Sequence, residues 1–243
     1  MHYAQALAGS WPQLFGLNQY KCLCHNKILD SFKVMKLERV IQKLEDNIKR
    51  PLPGKAGQVK MAPQPIDNAR FAQHDLSHAR EGAVLILLYP KGKGCWVPFI
   101  KRPEYDGAHG GQVSLPGGKK EQEDANLQET ALRETEEEIG VPAKDVQVIG
   151  KLSQLFIPPS NFLVTPYVGF TEQAPTFVPD PREVSRIIHC DFNILMDHNI
   201  RKKTTIKARN NIEIQAPYFD IDAEMVWGAT AMILSELLLI WEK

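Results

Sequence analysis

Residues 115–141 read LPGGKKEQEDANLQETALRETEEEIGV, a glycine-rich turn followed by a helix crowded with acids. The pattern predicts a helix over 124–139, which Gly140 ends because glycine readily takes the left-handed conformation of a helix C-terminus. Residues 119–141 hold eight acids and three bases, a net charge of −5, although the whole chain is neutral. Like charges one turn apart on a helix repel by about 0.2–0.5 kcal/mol per pair. We therefore expect a cation against this helix.

The acids fall on different faces of the helix. Glu134, Glu137 and Glu138 have the spacing of one face, whereas Glu136 points elsewhere. Hard divalent cations such as Mg²⁺ prefer carboxylate oxygens and complete their shell with water and substrate phosphates. The alternative is a solvated acidic face, which is common on surface helices. The turn at 116–118 favours the metal site, because its glycines let the backbone come close to metal and phosphate.

The overall composition is that of an ordinary globular protein. Of 243 residues, 43% are hydrophobic and 24% charged, which is enough for a packed core. The zero net charge gives no indication of a nucleic-acid partner. No apolar run approaches the roughly 20 residues that a membrane span needs. Four cysteines without framework spacing, Cys22, Cys24, Cys95 and Cys190, indicate reduced thiols and a cytoplasmic protein.

The remaining sequence predicts strands with helices inserted late, rather than strict alternation. Apolar residues at helical spacing follow Met35, and further helices are predicted over about 182–190 and 223–241. Strands are predicted over 82–90, 95–102, 110–118, 146–156, 162–170 and in a hairpin over 204–219 that turns at Asn210-Asn211. This order favours an α/β sandwich with a mixed β-sheet.

Three segments are expected along the chain. Residues 1–34 lack a clear period and are interpreted as an appendage to the main fold. Residues 35–81 form an N-terminal helix followed by a polar loop, and residues 82–243 form the main domain.

The turn and helix together resemble the Nudix box. The matching residues are Gly118, Asp124, Arg133, Glu134, Glu137, Glu138 and Gly140. The usual box has Glu where this chain has Asp124, and seven residues rather than eight before Arg-Glu. The extra residue is a feature of the branch that cleaves coenzyme A.

Other stretches are similar to the same branch. Arg102 and His109 stand in a segment like the one before the box in coenzyme A pyrophosphatases. The stretch IPPSNFLVTPYVG (157–169), which contains Ser160, resembles the strand after the box, and VWGATAMIL (226–234) resembles the last helix. The likeness covers about residues 36–242.

The resemblance implies a Nudix-type α/β/α sandwich that uses Mg²⁺ or Mn²⁺. It implies hydrolysis of a phosphoanhydride in a nucleoside diphosphate derivative, best matched by coenzyme A or its derivatives, giving 3′,5′-ADP and 4′-phosphopantetheine or its acyl form. Two alternatives stay open: a Nudix enzyme for nucleoside triphosphates, ADP-sugars or dinucleotides, and a non-catalytic nucleotide-binding domain. The expected partner is a small nucleotide-type substrate, without nucleic acid or membrane; a homodimer is a further option.

The resemblance also implies roles for single residues. Glu134 and Glu138, then Glu137, are the expected metal ligands, and Arg133 is expected to hold a site carboxylate by a bidentate pair. Glu183 is the candidate general base, with Glu137 as runner-up. The alternative for Glu183 is an ordinary acid in the first turn of a helix.

Five further residues are expected to contact or position the substrate. They are Gly117, Gly118, Arg102, His109 and Ser160. The basic segment 200–209 is either a solvated hairpin or, if it lies near the site, a means of recognising the 3′-phosphate of coenzyme A.

Overall fold

The computed structural model describes residues 34–66, 76–104, 110–207 and 213–243. The expectations for residues 1–33, for His109 and for the turn at Asn210-Asn211 lie outside the described residues.

Helices and strands of the described chain are numbered in chain order. The helices are α1 (Leu37–Ile48), α2 (Lys55–Gln58), α3 (Leu127–Ile139), α4 (Phe192–Met196) and α5 (Gly228–Trp241). The strands are β1 (Arg80–Lys91), β2 (Gly94–Lys101), β3 (Val113–Ser114), β4 (Gly117–Lys119), β5 (Gln147–Lys151), β6 (Leu155–Ile157), β7 (Phe162–Phe170), β8 (Arg186–Asp191), β9 (Arg201–Lys207), β10 (Glu213–Ile221) and β11 (Glu224–Trp227). Short 3₁₀ turns occupy Val59–Met61, Ala143–Asp145, Pro158–Ser160 and His198–Ile200.

The main sheet is mixed and is built around β1. Its order is β3-β2-β1-β7-β5, with β6 on β7 and β8 on β2. β1 runs parallel to β7 along nearly its whole length and antiparallel to its other partners. A separate three-stranded antiparallel sheet has the order β11-β10-β9.

β1 and β2 pair with each other only beside their connecting turn, from Tyr89↔Trp96 to Lys91↔Gly94. Farther from that turn, β1 pairs with β4, and β2 pairs with β3. The short stretch from β3 to β4 therefore crosses from one strand of the hairpin to the other. This crossing contains the glycine-rich turn that precedes α3.

Helices cover both faces of the sheet. Alternate residues of β1 point to opposite faces, as the strand period requires. Ile86 and Leu88 belong to the apolar core that includes α1 and α5, whereas Leu85 and Leu87 belong to the core that includes α3. The α/β/α sandwich with a mixed sheet is thus confirmed, and burial on both faces explains the continuous apolar run in β1.

Four predicted elements differ from the structure. The helix predicted over 182–190 is wrong: residues 186–191 form β8, because pairing with β2 buries Ile188 and Cys190 at strand period. The helix predicted over 223–241 begins only at Gly228, whose φ of 64° separates it from β11. The single strands predicted over 110–118 and 146–156 are each two short strands.

A fully buried carboxylate joins α5 to the segment after α1. Glu236 accepts hydrogen bonds from Gly54 N (3.0 Å), Ser153 N (3.3 Å) and Gln58 Nε2 (2.9 Å). Ser235 Oγ also donates to Gly57 O over 2.8 Å. These bonds satisfy a charge that would otherwise be costly to bury.

Two smaller expectations concern thiols and membranes. Cys95 and Cys190 are both free and buried, as expected for thiols without framework spacing. Within the described ranges, no helix is long and apolar enough to cross a bilayer.

Candidate active site

Local sequence fixes both ends of α3. The Asn126 side chain accepts from Gln128 N (2.9 Å) and Glu129 N (3.1 Å), which caps the first turn. The helix therefore begins at Leu127 rather than at the predicted residue 124. Gly140 ends it with a φ of 71°, as predicted.

Asp124 lies before the helix and pairs with Arg133 through both carboxylate oxygens. Arg133 Nε donates to Oδ1 over 2.9 Å and Nη2 to Oδ2 over 3.0 Å. Thr130 Oγ1 adds a bond of 2.9 Å to Asp124 Oδ2. These bonds, with the Arg133 pair first, hold the pKa of Asp124 well below its usual range. The extra residue between Asp124 and Arg133 is thus compatible with a direct bidentate pair.

Arg133 links this pair to the acids of the helix. Its Nη1 donates to Glu137 Oε2 (3.0 Å) and its Nη2 to Glu134 Oε1 (3.1 Å). Nη2 also donates to the carbonyl of Lys119, just after the glycine-rich turn (3.1 Å). Arg133 thus contacts three carboxylates of this region, and its bidentate partner is Asp124.

Glu138 is the most buried acid of α3, with its side chain 1% exposed. It accepts from Gly117 N over 2.8 Å, and Arg102 Nη2 lies 3.3 Å from its other oxygen. Burial raises the pKa of Glu138 to about 7, although the Gly117 N–H and the Arg102 charge lower it. The negative charges of Glu134 and Glu183 also contribute to this raised value. A nearby cation would favour the ionised form.

Glu134 packs against the glycine-rich turn. A Cβ atom placed on Gly118 would lie 2.4 Å from the Glu134 carboxylate carbon, so only glycine allows this approach. Burial raises the pKa of Glu134, and the Arg133 charge lowers it. Glu134 and Glu138 therefore both meet the backbone of the same turn.

The other two acids of the run are more peripheral. Glu136 points away, as predicted, and accepts from Ala143 N over 2.9 Å. Glu137 has a side chain 58% exposed and is held by Arg133. It lies beside the site rather than within its buried part.

Glu183 stands on a turn, not in a helix. The loop before it runs along the end of α3, with Val178 N donating to Ile139 O (2.9 Å) and Asp180 N to Glu138 O (3.1 Å). The charge of Glu183 raises the pKa values of Glu134 and Glu138. The interpretation of Glu183 as a first-turn helix acid is wrong, because the predicted helix is absent from 182–190.

The hydrogen bonds of Ser160 are made within its own turn and to β1. It ends the turn Pro158–Ser160, where its carbonyl accepts from Arg80 Nη2 and its hydroxyl donates to Ile157 O (3.4 Å). Neither bond reaches α3.

The sequence profile of the NUDIX domain matches residues 79–207. The chain belongs to the Nudix hydrolase family. It is 32% identical over 176 residues to "Uncharacterized Nudix hydrolase NudL" of Yersinia pestis (strain Pestoides F), across 72% of this chain and 86% of that protein. A protein of the same name from Yersinia enterocolitica is 34% identical over 142 residues, across 57% of this chain and 70% of that protein.

Solved Nudix structures also match. A Nudix hydrolase from M. smegmatis is 21% identical, with a TM-score of 0.40, across 46% of this chain and 71% of that one. A MutT/nudix family protein from Enterococcus faecalis is 16% identical, with a TM-score of 0.43, across 65% of this chain and 60% of that one.

Nudix hydrolases generally use divalent metals such as Mg²⁺ or Mn²⁺. Across the described ranges no three His, Cys, Asp or Glu side chains converge as a complete cage. Mg²⁺ does not need one, because it is usually bound by one or two carboxylates plus water and substrate phosphates. Glu134 and Glu138 offer such oxygens beside one turn, so the donor set fits a hard divalent cation.

Two features of this site were missed from the sequence. The backbone N–H of Gly117, a residue expected to contact or position the substrate, donates directly to Glu138. The second is the loop containing Asp180, which brings Glu183 to the end of α3. Turn-forming residues around Pro181 are the available signal, although the sequence pattern there predicts a helix.

The basic segment lies elsewhere. Residues 201–207 form β9 of the three-stranded sheet, and its first residues line a cleft with α5. α5 and α3 pack on opposite faces of the main sheet. Recognition of a substrate phosphate by this segment would require it to lie near the acids of α3. The structure does not support that proximity.

Proposed function

We propose that this Nudix hydrolase cleaves the phosphoanhydride of coenzyme A or its derivatives, in a reaction that depends on a divalent metal. Hydrolysis of a pyrophosphate substrate follows from family membership. The observation that carries the finer proposal is the position of Glu138 between Gly117 N–H and Arg102. Arg102 comes from the segment that resembles the coenzyme A branch, and it meets the most buried acid of the site.

Glu134 and Glu138 are the proposed metal ligands, with Glu137 as an outer one. The two inner ligands are the more buried side chains, and the outer ligand is the most exposed one. A side chain that is already held in place loses less conformational freedom when it binds a cation. When bound, the cation would neutralise phosphate charge and polarise the attacking water. Gly118 lets the Glu134 carboxylate approach the turn, and the Gly117 N–H fixes the direction of Glu138.

Arg133 is proposed to position the acids rather than to touch the substrate. Its bidentate pair with Asp124 fixes the guanidinium, and the same group then holds Glu134 and Glu137. Asp124 is thus proposed to anchor this arrangement, in the role of the first carboxylate of the box.

Glu183 is the proposed general base, with Glu137 as the runner-up. Glu183 is exposed on its turn, so its carboxylate is accessible to water. Its charge acts on both Glu134 and Glu138, which supports a place at the rim of the site. In this role it accepts the proton that the attacking water loses.

Arg102 is the proposed contact to substrate phosphate. Its side chain is 27% exposed, and its hydrogen bond to Glu138 uses only Nη2, which leaves Nε and Nη1 without a bond to this acid. Guanidinium groups suit phosphate oxygens because they donate two parallel bonds. His109 and Ser160 stay proposed substrate contacts.

A substrate panel tests the reaction. The purified protein is incubated with Mg²⁺ or Mn²⁺ and with coenzyme A, an acyl form, ADP-ribose, a dinucleotide or a nucleoside triphosphate, and products are identified by mass. We expect 3′,5′-ADP with 4′-phosphopantetheine at the highest kcat/KM. Preference for another nucleotide would support the broader Nudix alternative. Binding without turnover on every compound would support the non-catalytic domain.

A further inference from the structure

A polar cleft lies away from the acids of α3. It has a volume of about 210 Å³ and opens between β9, β10, α5 and the turn Val59–Met61. Its polar lining comes from Lys60, Arg201, Lys202, Lys203, Ser235 and Glu242. Since α5 covers the face of the sheet opposite α3, this cleft is separate from the proposed reaction site.

Arg201 is the central group of this cleft. Its Nε and Nη2 atoms are buried and have no hydrogen-bond acceptor among the described residues. The nearest acid, Glu242, has an oxygen 4.0 Å from Nη2, which is too long for a hydrogen bond. Buried donors without acceptors are unfavourable, and the side chain as a whole is 28% exposed, so an acceptor in the cleft would favour a rotation that turns this guanidinium edge toward it.

The two unpaired nitrogens have a defined geometry. Nε and Nη2 form one edge of the guanidinium plane, and such an edge donates two parallel bonds to an oxyanion. The ring of Phe219 lies 5.9 Å from the guanidinium carbon and supports its position. The guanidinium therefore has an aromatic neighbour on one side but no hydrogen bond from Nε or Nη2 that fixes this edge.

The charges around Arg201 favour a dianion. Four cationic side chains and one acid line the cleft. Lys202 is paired with Asp220, but Lys60 and Lys203 are exposed and have no recorded salt bridge in the described chain. Lysine ammonium groups add point charges to the directional bonds of arginine.

The remaining lining is apolar. It consists of Met61, Pro217, Phe219, Leu238 and Leu239. An apolar wall beside a cationic edge suits a ligand that has a charged end and a hydrocarbon or aromatic part.

We infer that this cleft binds a phosphate monoester of a small apolar or aromatic group, with Arg201 as the bidentate donor. Lys60 and Lys203 add charge, and Glu242 competes with the ligand for Arg201. The inference does not depend on the proposed reaction, because it rests on residues outside the site of α3.

Calorimetric titration of the full chain tests this inference. Phenyl phosphate and inorganic phosphate serve as probes, at constant ionic strength and with chelator present to exclude metal-assisted binding at the acids. We expect the phenyl ester to bind more tightly than inorganic phosphate because of the apolar wall. Arg201→Gln should weaken phenyl phosphate binding at least tenfold, and Glu242→Gln should strengthen it. Lys207→Gln, on the same strand but outside the cleft, is the matched control and should bind like the wild type.

Two further variants separate the possible causes of a loss. Arg201→Lys keeps the charge but lacks the two-nitrogen edge, so it should fall between wild type and Arg201→Gln. Glu138→Gln should leave phosphate binding unchanged, since it alters only the other site. Equal affinity in wild type and Arg201→Gln, no binding to wild type, or loss of binding in Glu138→Gln would each overturn the inference. Melting of each variant without ligand shows whether it is folded.

Discussion

Gly117 donates its backbone N–H to Glu138 Oε2 over 2.8 Å and thereby joins the glycine-rich turn to α3 across 21 positions of the chain. A backbone donor cannot be removed by an ordinary side-chain substitution. The direction of this carboxylate is therefore fixed by the fold of the sheet as well as by the helix.

Glu138→Gln should abolish most activity while the protein stays folded. The amide oxygen can still accept from Gly117 N–H, but the charge that faces a cation is lost. We expect kcat to fall by about 100-fold or more, because stabilisation of phosphate charge by a metal is worth several kcal/mol. The measurement is steady-state hydrolysis with a thermal melt of the same sample. Glu136→Gln, whose side chain bonds to Ala143, is the control and should keep near-normal turnover.

Gly118→Ala should disturb Glu134 without a large loss of stability. The new methyl group would overlap the Glu134 carboxylate, which must rotate away. We expect kcat to fall by about tenfold or more while the melting temperature changes little, since a side-chain rotation costs about 1 kcal/mol. A variant with full activity would show that Glu134 does not need this position. Gly92→Ala, with open space around the added carbon but a φ of 62°, controls for the general cost of replacing glycine.

Asp124→Asn should release Arg133 from its bidentate pair. The freed guanidinium can then bond more closely to Glu134 and Glu137 and compete with a cation. We expect a rise in the Mg²⁺ concentration needed for half-maximal rate, and a modest fall in melting temperature. Glu45→Gln is the comparison, because its exposed pair with Lys49 should contribute only about 0–1 kcal/mol. An unchanged metal requirement in Asp124→Asn would contradict the positioning role of Arg133.

Glu236→Gln should lower stability without a direct effect on the acids of α3. The carboxylate accepts three N–H donors, and an amide would place its own N–H₂ against at least one of them. A buried mismatch of this kind costs about 1–3 kcal/mol, or roughly 2–12 °C in melting temperature for a domain of this size. Differential scanning calorimetry measures the shift. Turnover per folded molecule at low temperature should match the wild type.

A chain that begins at Met35 should fold and keep its activity. The first described residues are already tied to the sheet, since Cys95 N donates to Met35 O over 2.8 Å. Loss of solubility, or a much lower melting temperature than the full chain, would show that residues 1–34 contribute to the packed core. The test compares melting temperatures from circular dichroism and kcat/KM values between the shortened chain and the full chain.

The local sequence pattern was sufficient to predict the helices and strands that have a strong hydrophobic period. The helix after Met35, the buried strand β1, its partner β2 and the strand β7 all occur close to their predicted positions. β8 was missed because Pro181 and Glu183 look like the start of a helix, whereas pairing with β2 decides the conformation. Such pairing joins segments far apart in sequence and overrides local preference.

In the candidate site, too, local spacing predicted some features, whereas contacts between distant segments were not predictable. Helical spacing correctly separated Glu136 from Glu134 and Glu138, because that spacing is a property of the helix alone. The contact between Arg102 and Glu138 spans 36 positions and depends on how β2 meets α3. No spacing rule could give it, and only a resemblance had drawn attention to Arg102.

The segment from β3 to β4 connects the two strands of the β1–β2 hairpin. β3 pairs with β2, β4 pairs with β1, and the Gly117 N–H belongs to β4. A change in the angle between β1 and β2 would therefore move this N–H relative to Glu138, so the geometry of the hairpin and the direction of the buried carboxylate are coupled.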